Sequence, residues 1–284
     1  MMYALLTIGD MFTEDLPPIL AEAFKVAIHE TDVSDHSTLD DRNWDALITC
    51  DCEALDGDLT WLLEIYATAE VKEKPTMQGL ALHLAKRFNK PFFFAWKETV
   101  PWVRRVAFPD GRLTLARVSE LDDTGSGLSV EVAEEEIPGM PHVRVDHLPE
   151  VVRAYDVGTP LSDSVLPRES RGERRKVRGL LVSWERLCVR MESNWPPEGW
   201  YSASMYREDL EHRDKLELAM ISLEKDEHHA VQQILAELDQ RYLERTIDDG
   251  GVALASAISE DPSRLTSRPW YWRRRPHLLP WSTD

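Results

Sequence analysis

The chain has 284 residues, of which 43% are hydrophobic and 30% charged, and its formal net charge at pH 7 is −18. Length and composition exclude a disordered or low-complexity chain and allow one large or two ordinary domains. A surface this negative repels nucleic-acid phosphates and anionic membranes and favours a basic partner. Taken in order, residues 3–8 form a short apolar run closed by Gly9-Asp10 and predict a buried strand. Residues 15–24 predict a short helix with Pro17-Pro18 in its first turn. Residues 24–29 alternate and predict a strand; residues 31–43 are polar and acidic and predict a loop. WDALITC (44–50) predicts another buried strand. Asp58 is placed to cap a helix through residue 69, and Thr76 to cap a second over 77–88. Residues 91–96, PFFFAW, are the most hydrophobic strand candidate.

The pattern then changes. Residues 102–108 and 112–118 flank Pro109-Asp110-Gly111, which supplies the turn of a β-hairpin. Residues 128–133 and 142–146 predict two more strands. Residues 157–170 are rich in Ser, Pro and Gly and lack periodicity, so they read as a linker. In 172–195, Val177, Leu180, Leu181, Trp184, Leu187, Cys188, Met191 and Trp195 fall on one helical stripe, and Glu185 falls on the polar face. Two further helices are predicted at 204–223 and 227–246, and a short one at 252–258. The expected fold class is α+β: an acidic N-terminal α/β sheet layer with β-hairpins (1–156), the linker, and a C-terminal helical bundle (171–284).

The acidity is uneven. Residues 1–160 carry 14 Lys and Arg against 29 Asp and Glu, whereas residues 161–284 carry 19 against 22. Three cysteines do not make a disulfide framework. The first residues lack a basic leader, and no apolar run reaches the ~18–20 residues needed to span a bilayer. A cytoplasmic protein without a membrane partner is therefore expected.

Motifs for chemistry are sparse. Cys50-x-Cys52, with Asp51 and Glu53, is at most half a metal site, because no second Cys/His cluster completes four ligands. No Walker loop, nucleophile elbow or zincin motif occurs, so no metal, cofactor or catalytic residue is assigned. Asp40, Asp41, Asp122, Asp123, Glu134, Glu135 and Glu136 are the candidate acidic contacts for a basic protein, with Trp102 as an aromatic anchor. Trp184, Trp270, Trp272 and Arg273 read as structural: indoles clamp the helices, and the tail arginines pair with helix acids. Two other readings stay open. A small-molecule enzyme would place its site at the strand ends, near Gly9-Asp10 and Asp51-Cys52-Glu53. The Trp270–Arg275 tail would stack on bases in a nucleic-acid binder, against which the overall charge argues.

The pattern Leu235-x-x-Leu238-Asp239-x-x-Tyr242-x-x-x-Thr246, followed by Trp270-x-Trp272-Arg273-Arg274-x-Pro276, resembles helical proteins of high-GC bacteria. Several of these look like immunity partners of polymorphic or contact-dependent toxins. The resemblance covers the C-terminal part alone and carries no catalytic residue. It implies a binding protein that neutralises a toxin in the cytosol of its producer.

Overall fold

A computed structural model describes residues 1–10, 13–35, 42–121 and 127–281. The chain is α+β and divides into two compact units, Met1–Leu148 and Pro149–Asp284. The first holds a mixed, mostly antiparallel sheet. Its strands are β1 (Met2–Thr7), β2 (Thr31–Asp35), β3 (Ile48–Ala54), β4 (Asp56–Gly57), β5 (Trp61–Ala67), β6 (Phe92–Ala95), β7 (Val103–Ala107), β8 (Leu113–Glu120), β9 (Gly127–Ala133) and β10 (Arg144–Val145). They run in the order β10-β9-β8-β7-β6-β1-β5-β3-β2. The sheet curls far enough for β4, at the tip of the β3–β5 hairpin, to pair with β9. Gly57 makes that approach possible: its φ is +94°, and a Cβ there would lie 2.5 Å from the Leu128 carbonyl oxygen.

Helices α1 (Leu16–Phe24) and α2 (Met77–Phe88) cover one face of the sheet. Leu16, Leu20 and Phe24 of α1 and Leu80 and Leu84 of α2 pack on Tyr3, Leu5, Ile48, Cys50, Leu63, Ile65, Phe92 and Phe94. Thr76 caps α2 as its sequence predicts, its hydroxyl accepting the Gly79 amide at 3.0 Å. A second core fills the curl, where Leu6, Phe93, Val106, Phe108, Ala116 and Val130 meet Ile137, Met140 and Val143.

Several sequence expectations fail in this unit: the strand expected over 44–50 begins only at Ile48, with Trp44 exposed before it. Residues 61–67 are a strand and not a helix. Leu63, Ile65 and Ala67 are buried while Glu64 and Tyr66 are exposed, a period of two. Asp58 caps no helix; its carboxylate accepts the Val130 amide at 2.8 Å and ties β4 to β9. The polar segment at 31–35 is a strand pairing parallel to β3, whereas residues 24–29 hold the left-handed C-cap of α1 at Lys25 and no strand.

The second unit is built on α5 (Gly172–Glu192), α6 (Ala203–Met220) and α7 (Lys225–Arg245), with the short helices α3 (Pro149–Ala154), α4 (Pro160–Val165), α8 (Val252–Ala257) and α9 (Pro262–Thr266). Strands β11 (Thr246–Asp248) and β12 (Arg274–Pro276) pair antiparallel and fix the tail. The 157–170 segment, expected as a linker, contains α4. The buried Glu185 of α5 accepts the Leu161 amide at 2.9 Å and the Ser162 amide at 2.7 Å, satisfying donors that a helix start leaves unpaired. No helix among the described residues is long and apolar enough to cross a membrane.

Candidate protein-binding face

The two faces of the β2-β3-β5-β1 half of the sheet differ. One is covered by α1 and α2. The other displays Asp32 on β2, Thr49, Asp51 and Glu53 on β3, Glu64 and Tyr66 on β5, and Met2 and Ala4 on β1. Strand register sets these side chains in rows. Tyr66 stands between Met2 and Thr49, and Glu64 between Ala4 and Asp51. A solvated face of an antiparallel sheet ordinarily turns polar residues outward. Here Met2 is 62% exposed and Tyr66 49%.

Trp44, 78% exposed, adds a third apolar group. It lies over the Arg42 guanidinium, 5.0 Å from ring centroid to Cζ. Arg42 in turn spans two strands, its Nη1 2.8 Å from Asp51 and its Nε 3.7 Å from Asp32. The Arg42 side chain is only 9% exposed. Asp40 and Asp41 precede it in sequence but lie outside the described residues, as do Asp122 and Asp123.

Among the described residues, charge on this face is compensated only in part. Asp51 and Glu64 are direct cross-strand partners with side chains on the same side, an arrangement in which like charges repel. Arg42 relieves Asp51. Glu53 and Glu64 are exposed and have no ion-pair partner among the described residues. The face thus carries four carboxylates to one guanidinium, interspersed with Met2, Trp44 and Tyr66.

The sequence-predicted contacts fall elsewhere. Glu134, Glu135 and Glu136 follow the end of β9. Glu135 is ion-paired with Arg112, and Glu136 is exposed. Trp102 precedes β7, which runs parallel to β9 because both pair antiparallel with β8. Register sets Trp102 beside Val118 and Glu134 beside Leu115, so the acidic run begins about three residues, roughly 10 Å, along the strands from Trp102 and continues away from it. Trp102 is half exposed, but it borders a cleft of about 510 Å³ with Arg104 and Arg117 and is not centred among carboxylates. Trp44 and Tyr66, which sequence reasoning did not single out, are the exposed aromatic residues of the open face. Only strand register shows that Asp51, Glu64 and Tyr66 share a surface.

Other candidates resolve by their contacts. Cys50 and Cys52 point toward α1 and α2, with sulfurs 3.8 Å apart. The neighbouring Cys52 thiol and burial hold the Cys50 thiol well above its ordinary value, so neither geometry nor protonation favours a reactive thiolate. Among the described residues no group of three His, Cys, Asp or Glu is placed to hold a metal ion. In the second unit the Trp184 indole donates to Asp239 at 2.9 Å, and that of Trp272 to Asp214 at 3.1 Å. Trp270 meets Tyr242 edge-on at 5.9 Å, and Arg273 pairs with Asp248 at 3.4 Å. Arg274 donates to the Thr246 carbonyl and Arg275 lies 4.0 Å from Asp249. All three tail guanidiniums are thus engaged within the unit. No family model, curated protein or solved structure matches the chain.

Proposed function

We propose that the chain is a cytosolic binding protein, immunity-like in kind, whose open sheet face takes the basic surface of a partner protein. The observation that supports this reading is the Asp51–Glu64 cross-strand pair, in which Arg42 serves Asp51 and not Glu64, flanked by exposed Met2, Tyr66 and Trp44. Like charges set opposite each other cost stability in the free protein. A cationic partner converts that cost into attraction and accelerates encounter. Tyr and Trp are the side chains that most often dominate interface energetics. Neutralisation of a toxin is the part of the reading that rests on the resemblance of the C-terminal segment to immunity proteins.

The test is affinity capture from the native host at low salt, with wild type and Glu64→Lys side by side. A basic protein held by wild type, released as salt rises and lost with the variant is the expected result. If every protein retained by wild type is retained equally by Glu64→Lys, the face is not the binding surface.

A further inference from the structure

At one end of the sheet, five segments meet around a cleft of about 720 Å³: the end of β1, the hairpin tip at Gly57-Asp58, the start of β6, the β7–β8 turn and the 138–142 stretch. None of its lining residues belongs to the open face. Ile8, Phe108 and Met140 supply apolar wall, and Lys90, Arg112 and His142 bring nitrogen donors to the same space.

The two carboxylates in the cleft are already committed. Asp58 accepts the Val130 amide through Oδ2, and its Oδ1 lies 2.9 Å from His142 Nε2. Asp110 accepts the backbone amide of Arg112 at 3.0 Å and its Nε at 2.8 Å. The donors are less fully used. Lys90 Nζ donates to the Asp10 carbonyl, and an ammonium has three N–H groups. Arg112 uses Nε on Asp110 and Nη1 on Glu135. His142 donates its Nε2–H to Asp58, which leaves Nδ1 of the neutral ring an acceptor, so the donors left over are those of Lys90 and Arg112. Spare capacity in the cleft is therefore on the donor side, beside an apolar wall. Binding sites of this size combine an apolar lining with a few polar groups that fix orientation.

We propose that this cleft binds a small organic anion, its carboxylate or phosphate held by Lys90 and Arg112 and its apolar body against Ile8, Phe108 and Met140. Asp58 holds the His142 imidazole at the cleft wall and joins β4 to β9. The strand-end location agrees with the sequence reading at Gly9 but not at Asp51–Glu53, whose charged side chains lie on the open face.

The experiment is an amide chemical-shift titration of the full chain with benzoate, phenyl phosphate and neutral benzamide into the millimolar range. At least one anion is expected to shift the Gly9 and Gly139 amides saturably while benzamide does not; which anion binds more tightly tells carboxylate from phosphate. Lys90→Gln should weaken that binding about tenfold, as the loss of one charge-assisted contact does, and Arg112→Gln should weaken it also. Equal binding of benzamide, no binding of either anion, or undiminished affinity in a folded Lys90→Gln variant would overturn the proposal. Partner capture by the open face is a separate readout, so either idea can fail alone.

Discussion

In the helical unit, the inward-facing carboxylates have partners on neighbouring elements. Glu185 holds the first amides of α4. Asp239 takes the Trp184 indole and the guanidinium of Arg213, which is itself buried between Trp184 and Tyr271. Asp214 receives Tyr271, Trp272 and Arg268. In the sheet unit, Asp51 and Glu64 confront each other, and Glu53 and Glu64 lack a cation among the described residues. Both units are net acidic by sequence, yet one satisfies its inward carboxylates and the other displays opposed ones on a face. The proposed binding reading draws on this difference and not on total charge, because a paired carboxylate has little left to offer a partner.

The comparison breaks most readily in the helical unit. Trp184 is fully buried against Tyr242 and Tyr271, with ring centroids 4.7 and 5.8 Å away. Trp184→Ala should cost about 3–5 kcal/mol in chemical denaturation. A loss below ~1 kcal/mol would mean that the cluster relaxes around the gap and does not organise the unit.

A second effect depends on pH. Burial pushes the Asp209 carboxyl up to about 7, outweighing the Tyr201 hydroxyl, which donates to it at 2.5 Å, and the nearby Arg190. A raised carboxyl is protonated in the folded state while the unfolded chain, with the ordinary value of 3.8, has released its proton. The contribution is therefore full below pH ~4 and is lost as pH rises through about 7. Asp209→Asn should flatten this part of the stability profile, as read from denaturation midpoints between those limits. An unchanged slope would show that Asp209 is charged throughout and belongs with the paired carboxylates.

Smaller again is Glu185→Gln. The amide keeps one acceptor for two backbone donors, so the expected loss is about 1–2 kcal/mol, with faster hydrogen exchange at Leu161 and Ser162. Glu185 also shows what was legible in the sequence. Periodicity locates α2, α5 and the β7–β8 hairpin, because each is specified by neighbours in the chain. It puts Glu185 on the polar face of α5, since the contact that buries it comes from the 157–170 segment, which reads as a linker. Residues 61–67 read as helical because Leu62 and Leu63 suit either period; pairing with β1 and β3 decides for a strand. The open face was hidden for the same reason. Asp51 and Glu64 are 13 positions apart and become neighbours only through register. Of the acidic runs that local inspection favours, Glu135 is engaged by Arg112, Glu136 is exposed away from this face, and the aspartates lie outside the described residues.

The sharpest use of the comparison is the one with the smallest effect on stability. Glu64→Lys replaces a like-charged cross-strand pair with an opposite one and should stabilise the sheet unit by about 0.2–1 kcal/mol. An ordinary surface substitution would change little, and one that damaged the fold would lower stability. If the face binds a basic partner, the same variant loses affinity, mostly through slower association that salt no longer modulates as steeply. Tyr66→Ser and Trp44→Ser should slow nothing on approach but speed dissociation, because anchors act after encounter. Stability that rises as affinity falls is the pattern of a surface kept repulsive for a partner. Should Glu64→Lys lower stability, Asp51 and Glu64 are already compensated in the free protein, and the contrast between the two units disappears.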